Sequence, residues 1–358
     1  MRSVARDWCL VAERRWQAVA AWWLAAAAIL ALATPAHAGL TEAPRLAAVY
    51  DTILGARFAD VEAQLARTCP PAPREACQEL GVVSLWWQIL LNPESRALDQ
   101  KLNAAAAASI ASSDAWTRRE PQRAEAWFYL AGSYAPLVQW RVLRGERLAA
   151  AREGKKIKDA LEHALQLDPT LADAYFGIGL YHYYADVAPL YAKLLRWLLL
   201  LPGGDREQGL REMLQARARG EVLRGEADFQ LHVLYLWYEK RPKDALALLE
   251  TLDAQYPTNP LFLERIADVH EIYFHDSRAS AAAWRALLDR VGANRVFDPR
   301  TTEIRARLGL ASELLRLNDV DAAIAQLQIV VDARPSEPIG ARERAGELLR
   351  DARARKHF

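Results

Sequence analysis

A single six-residue interval limits what this chain can fold into. Pro121 precedes Trp127, Pro169 precedes Tyr175, and Pro257 precedes Leu263 by the same step. Proline breaks a helix interior but is tolerated where a helix begins. Each interval therefore predicts a helix start followed by a large residue. From each large residue the pattern continues in register, as Trp127, Leu130, Ala131 and Tyr134. It repeats as Tyr175, Ile178, Gly179 and His182, and again as Leu263, Ile266, Ala267 and His270. Offsets of three, four and seven place these side chains on one helical face. The small residue in each set lets a second helix come close. That second helix carries its own spacing: Ala245, Leu249 and Leu252 before Pro257, and Ala323, Leu327 and Val330 before Pro335. An Asn318-Asp319 turn precedes the latter, and Gly209, Met213 and Ala216 form a looser copy. The chain thus predicts antiparallel helix pairs in series. One pair cannot bury its apolar face alone, so the pairs must stack.

This two-helix pattern resembles the tetratricopeptide repeat, whose first helix carries W-x2-L-G-x2-Y and whose second carries A-x3-F-x2-A. The resemblance implies an all-α solenoid of TPR-like hairpins over residues 121–335. Residues 39–120 form an N-terminal helical region with degenerate repeats, predicted as helices Thr41–Ala66, Arg74–Leu91 and Ser95–Trp116. Residues 336–358 form a charged capping helix, Pro338–Arg355. Two departures are evident. The helices between Trp127 and Pro169 are long for the family, and an apolar insertion occupies 187–204. Alanine, leucine, arginine and glutamate dominate and favour helix, while alternating Val/Ile/Thr runs are scarce, so no strand is predicted.

The N-terminus reads as an export signal. Arg2, Arg6, Arg14 and Arg15 precede an apolar run from Ala18 to Ala33, then Pro35 and Ala36-His37-Ala38. Small residues at 36 and 38 suit a signal peptidase, which places the cut after Ala38 and the protein in the periplasm or otherwise outside the cytoplasm. The alternative is an uncleaved anchor, because the run approaches spanning length. Loss of those four arginines with Asp7 and Glu13 leaves 42 basic and 43 acidic residues. Only Cys69 and Cys77 remain, flanking Pro70, Pro71 and Pro73. In an oxidising compartment two such cysteines read as one disulfide.

No catalytic or cofactor signature emerges. His270-Glu271 and His275 stand five residues apart rather than the four a zinc-protease helix requires, so no metal site is predicted. Pro202-Gly203-Gly204-Asp205 lacks the Lys-Ser/Thr ending of a phosphate loop and reads as a helix end followed by an Asp205 cap. Charge is balanced, 46 Lys+Arg against 45 Asp+Glu, without the basic stripe of a nucleic-acid binder. The expectation is a non-enzymatic scaffold or assembly factor of the cell envelope, needing no cofactor and holding a protein or peptide partner.

In the tetratricopeptide family the first helices line a concave groove where peptides lie. Phe128, Phe176, Tyr183, Gln230 and Trp237 fall outside the hairpin-packing positions, and Glu264 and Asp268 continue that face. The resemblance assigns these seven residues to the groove, an aromatic floor beside an acidic stretch. The alternative is that the aromatics pack the inserted helix. Segment 187–201 has two readings itself, a buried plug or a peripheral membrane contact through Lys193 and Arg196. A rival function is a lipid- or carbohydrate-active envelope protein. Its ligand would lie at the insertion, near Asp186, Lys193 and Asp205.

Overall fold

In the computed structural model the described residues are 39–187, 203–333 and 338–356. The export signal with its cut after Ala38, the inserted segment from 188 to 202, and Pro335 lie outside them. All described residues belong to one unit, Gly39–Phe358.

The local signals act where the sequence puts them. Trp127 Nε1 donates to the Pro121 carbonyl at 2.9 Å, and Tyr175 Oη to that of Pro169 at 3.1 Å. The six-residue interval is therefore a hydrogen-bonded helix entry. It joins the first turn's aromatic to the proline that opens the turn. Leu263 has no donor, and it is buried instead. Asp205, Asn259, Asp276, Asp298 and Asp319 each accept a hydrogen bond from a backbone N–H of the first turn that follows them. Such caps are worth about 1 kcal/mol apiece.

The result is all helix among the described residues. α1 (Ala43–Leu54), α2 (Phe58–Thr68), α3 (Arg74–Leu91) and α4 (Asp99–Arg119) come first. α5 (Ala124–Leu143), α6 (Arg147–Leu167), α7 (Ala174–Val187) and α8 (Arg206–Arg219) follow. Then come α9 (Arg224–Trp237), α10 (Pro242–Gln255), α11 (Pro260–Ile272) and α12 (Ser277–Gly292). α13 (Pro299–Arg316), α14 (Val320–Asp332) and α15 (Ala341–Lys356) complete the array. Each helix packs mainly on the next, so the odd helices pair with the even ones as antiparallel hairpins and α15 covers the last pair. The single helix predicted over Thr41–Ala66 is two, because Gly55, Ala56 (φ +53°) and Arg57 turn the chain between α1 and α2. Cys69 and Cys77 are bridged across the α2–α3 loop, their Cα atoms 6.4 Å apart.

The α7/α8 pair shows what the small residues are for. A Cβ on Gly179 would sit 2.7 Å from the Gly209 carbonyl oxygen, and one on Gly209 would sit 2.5 Å from that of Gly179. The two backbones touch there. His182 Nδ1 and Glu212 Oε2, 2.7 Å apart, join the same pair on its flank.

Candidate functional site

The odd helices present their inner faces to one another, and there the array closes on itself. Trp87 of α3 is wholly buried, with its ring 4.9 Å from Phe229 of α9 and 6.2 Å from Phe262 of α11. Its Nε1 donates to Glu226 Oε2 at 3.2 Å, and Tyr50 Oη of α1 donates to the same oxygen at 3.1 Å. Further along, Tyr256 Oη donates to Asp51, Asn259 Nδ2 to the Leu54 carbonyl, and Arg305 Nη1 to the Leu91 carbonyl. Phe58 meets Phe297 edge to face at 4.9 Å. The first two hairpins are thus stitched to segments roughly 140 to 240 residues later, at ordinary hydrogen-bond and ring-contact distances.

This seam buries acid. Glu79 of α3 and Glu226 of α9 are both buried. Burial first, then the charge of Glu226, push the Glu79 carboxyl up to about 8. Burial raises Glu226 as well, against the lowering effect of the bonds from Gln230, Tyr50 and Trp87. Two carboxyl groups in one apolar seam cannot both ionise cheaply, so at neutral pH Glu79 keeps its proton. Nearby His232 is buried and its base strength falls to about 3, chiefly through desolvation.

That closure corrects the groove expected from sequence. Phe128 and Tyr183 are buried, and no partner can reach their rings. Phe128 packs edge to face on Tyr129, and Tyr183 Oη donates to Glu239 Oε1 at 2.5 Å. Phe176 is half-buried against the core. Gln230 Nε2 donates to Glu226 Oε1 at 3.1 Å. Glu264 is held by Arg305 at 3.0 Å and Asp268 by Arg265 at 2.8 Å, so the acidic stretch is already paired within the chain. The physical reason differs by residue: Tyr183 is covered by Arg206, Tyr238 and Glu239 of the next elements, while Gln230 is drawn to Glu226 in the seam that α1 and α3 close. Sequence spacing cannot announce closure, and so it missed Tyr50, Glu79, Trp87 and Glu226. Their one signal was a pair of glutamates placed among apolar neighbours.

Trp237 differs from the other six. It is 69% exposed at the C-terminal end of α9. Its neighbour Tyr238 makes edge contacts with Tyr183 and Tyr184, at 5.8 and 5.9 Å, and Tyr184 is itself 37% exposed. Arg206 and Glu239 form an ion pair against Tyr183. The ends of α7 and α9 therefore carry a supported aromatic surface.

The insertion's polar residues are occupied in backbone capping. Asp205 accepts from Gln208 N at 2.8 Å, and Asp186 from Arg206 N at 3.3 Å, while Lys193 lies outside the described residues. A surface depression of about 580 Å³ lies open over α1 and α2 between Asp51, Arg57 and Arg67. No helix among the described residues is long and apolar enough to cross a membrane.

No protein-family model matches this sequence, and no curated protein matches it. Among solved structures the fold is similar to a chain of the APC/C hetero-tetramer Cut9-Hcn1, with a TM-score of 0.45 and 15% identity over 86% of this chain. This chain spans about half of that one, 52%. It is similar to the human IFIT1 dimer with PPP-AAAA at a TM-score of 0.40 and 14% identity, over 85% of this chain and 70% of that one. The TPR domain of P58(IPK) gives a TM-score of 0.28 and 16% identity, over 87% of this chain and 77% of that one.

Proposed function

We propose that this protein is an exported, non-catalytic scaffold or assembly factor of the cell envelope, periplasmic in location, that holds a protein or peptide partner on the aromatic ends of α7 and α9. Trp237 carries the reading. It is a large side chain left 69% exposed while the inner face is consumed by the chain's own helices. Aromatic side chains give large contact area at low rotamer entropy and commonly anchor interfaces. The nearly balanced charge favours a protein over a nucleic acid. Export rests on the basic start, the apolar run and Ala36-His37-Ala38.

The test uses a photo-crosslinking residue at 237 in cells that make the protein, with Trp237→Ala as its partner experiment. Crosslinks to one protein should form at 237 and not at buried 128. Trp237→Ala should weaken capture of that protein about thirtyfold, with an unchanged melting temperature. A folded variant that captures its partner normally would move the binding surface elsewhere. Sequencing the N-terminus from the native host checks export, and a chain starting at Gly39 is expected.

A further inference from the structure

Where the described chain begins, its backbone is gripped by carboxylates. Leu40 N donates to Glu221 Oε2 at 3.3 Å, and Thr41 N and Oγ1 donate to the two oxygens of Glu125 at 2.7 and 2.9 Å. Gly39 stands at φ +126°, where L side chains are strained, and a Cβ there would sit 3.0 Å from Glu221 Oε2. The backbone approaches that carboxylate as closely as a glycine permits. Arg123 neutralises Glu125 at 2.7 Å, and the Asp173 carboxylate is bound by the N–H groups of Glu221, Val222 and Leu223. Glu221 has no cationic partner among the described residues. Tyr129 adds a second sign. It is buried, its hydroxyl has no hydrogen-bond partner, and it lies in the field of Glu125, Glu79, Asp173 and Glu221. Glu221 is itself exposed and open to a cation beside Gly39.

We infer that the site is a receptor for the α-ammonium group of Gly39, created when the segment ending at Ala38 is removed, and that Glu221 is its counter-ion. This rests on the export reading above. Cleavage replaces a neutral amide by a cation next to an unpaired carboxylate, with Leu40 buried just behind it. The same residues tether the start of α1 to α5 and to the α8–α9 loop, so processing fastens the first hairpin to the array. Capture of an N-terminal amine by backbone and carboxylate groups is a known mode of recognition.

The experiment makes the chain beginning at Gly39 by cutting a fusion protein, whatever the host does, so it stands apart from any failure of export. The amine is dimethylated with carbon-13 and titrated by NMR. It should titrate above the ordinary α-amine range of roughly 7.7–8.0, by about threefold or more in its dissociation constant. It should fall back into that range in Glu221→Gln. A chain beginning at Ala38 keeps every side chain and moves the amine one residue away, and it too should titrate normally. An ordinary value in the Gly39 chain overturns the inference. So does an equal elevation in the Gly39 and Ala38 chains, or one that survives Glu221→Gln.

Discussion

Two interfaces hold this array, and they are built on opposite principles. In the α7/α8 hairpin, Gly179 and Gly209 remove side chains so that two backbones touch. In the inner seam, α1 and α3 meet α9 and α11 through the largest side chains available, Trp87, Phe229 and Phe262, around a buried acidic pair. The hairpin is local in sequence and neutral at its contact. The seam spans more than a hundred residues and carries titratable groups. Local contacts cost little loop-closure entropy, whereas the seam must offset a long closure with dense apolar burial.

That difference sets the order of expected effects. Trp87→Ala should cost about 3–5 kcal/mol, since a buried ring leaves a cavity and Glu226 Oε2 loses one of its two donors. Denaturant unfolding measures it, and a loss below 1 kcal/mol would show the seam to be loosely packed. Gly179→Val should cost about 2–3 kcal/mol by forcing α7 from α8. A neutral result would mean the backbones are not in contact.

The seam should also answer to pH. Glu79 rises from 4.5 when exposed to about 8 in the fold, so the folded state holds the extra proton and stability falls as pH climbs between those values. His232 drops from 6.5 to about 3, so it adds stability as pH climbs toward 6.5. The two oppose each other below 6.5, and above it Glu79 leads, with the raised Glu226 acting in the same sense. Stability should decline by roughly 1–2 kcal/mol between pH 6.5 and 8, at up to about 1.4 kcal/mol per unit, the slope easing as Glu79 itself ionises near 8. Glu79→Gln should flatten that decline. A variant that keeps the full slope would place the titrating group elsewhere. The smallest effect belongs to neither interface: Asp276→Ala removes the cap from two N–H groups of α12 and should cost about 1 kcal/mol.

Sequence spacing read one of these interfaces and not the other. The hairpins were legible because Trp127, Tyr175 and Leu263 recur in step with proline, and helical periodicity is local physics. Gly179 was legible as a close approach for the same reason. The seam was not, because Trp87 and Glu226 are 139 residues apart and only the accumulated rotation of successive hairpins brings them together. The groove residues show the consequence. Phe128 and Tyr183 sit on first helices as the repeat pattern placed them, yet they face other helices. Trp237 escapes because it stands at the very end of α9.

Closure of the inner face is the central claim, and native-state hydrogen exchange tests it most directly. Backbone amides of Val82–Leu91 in α3 and of Ala227–Leu236 in α9 should exchange only through global unfolding, with equal opening free energies that both fall in Trp87→Ala. Faster exchange of α3 than of α9, by a local opening that Trp87→Ala leaves unchanged, would contradict closure and restore an open groove to this chain.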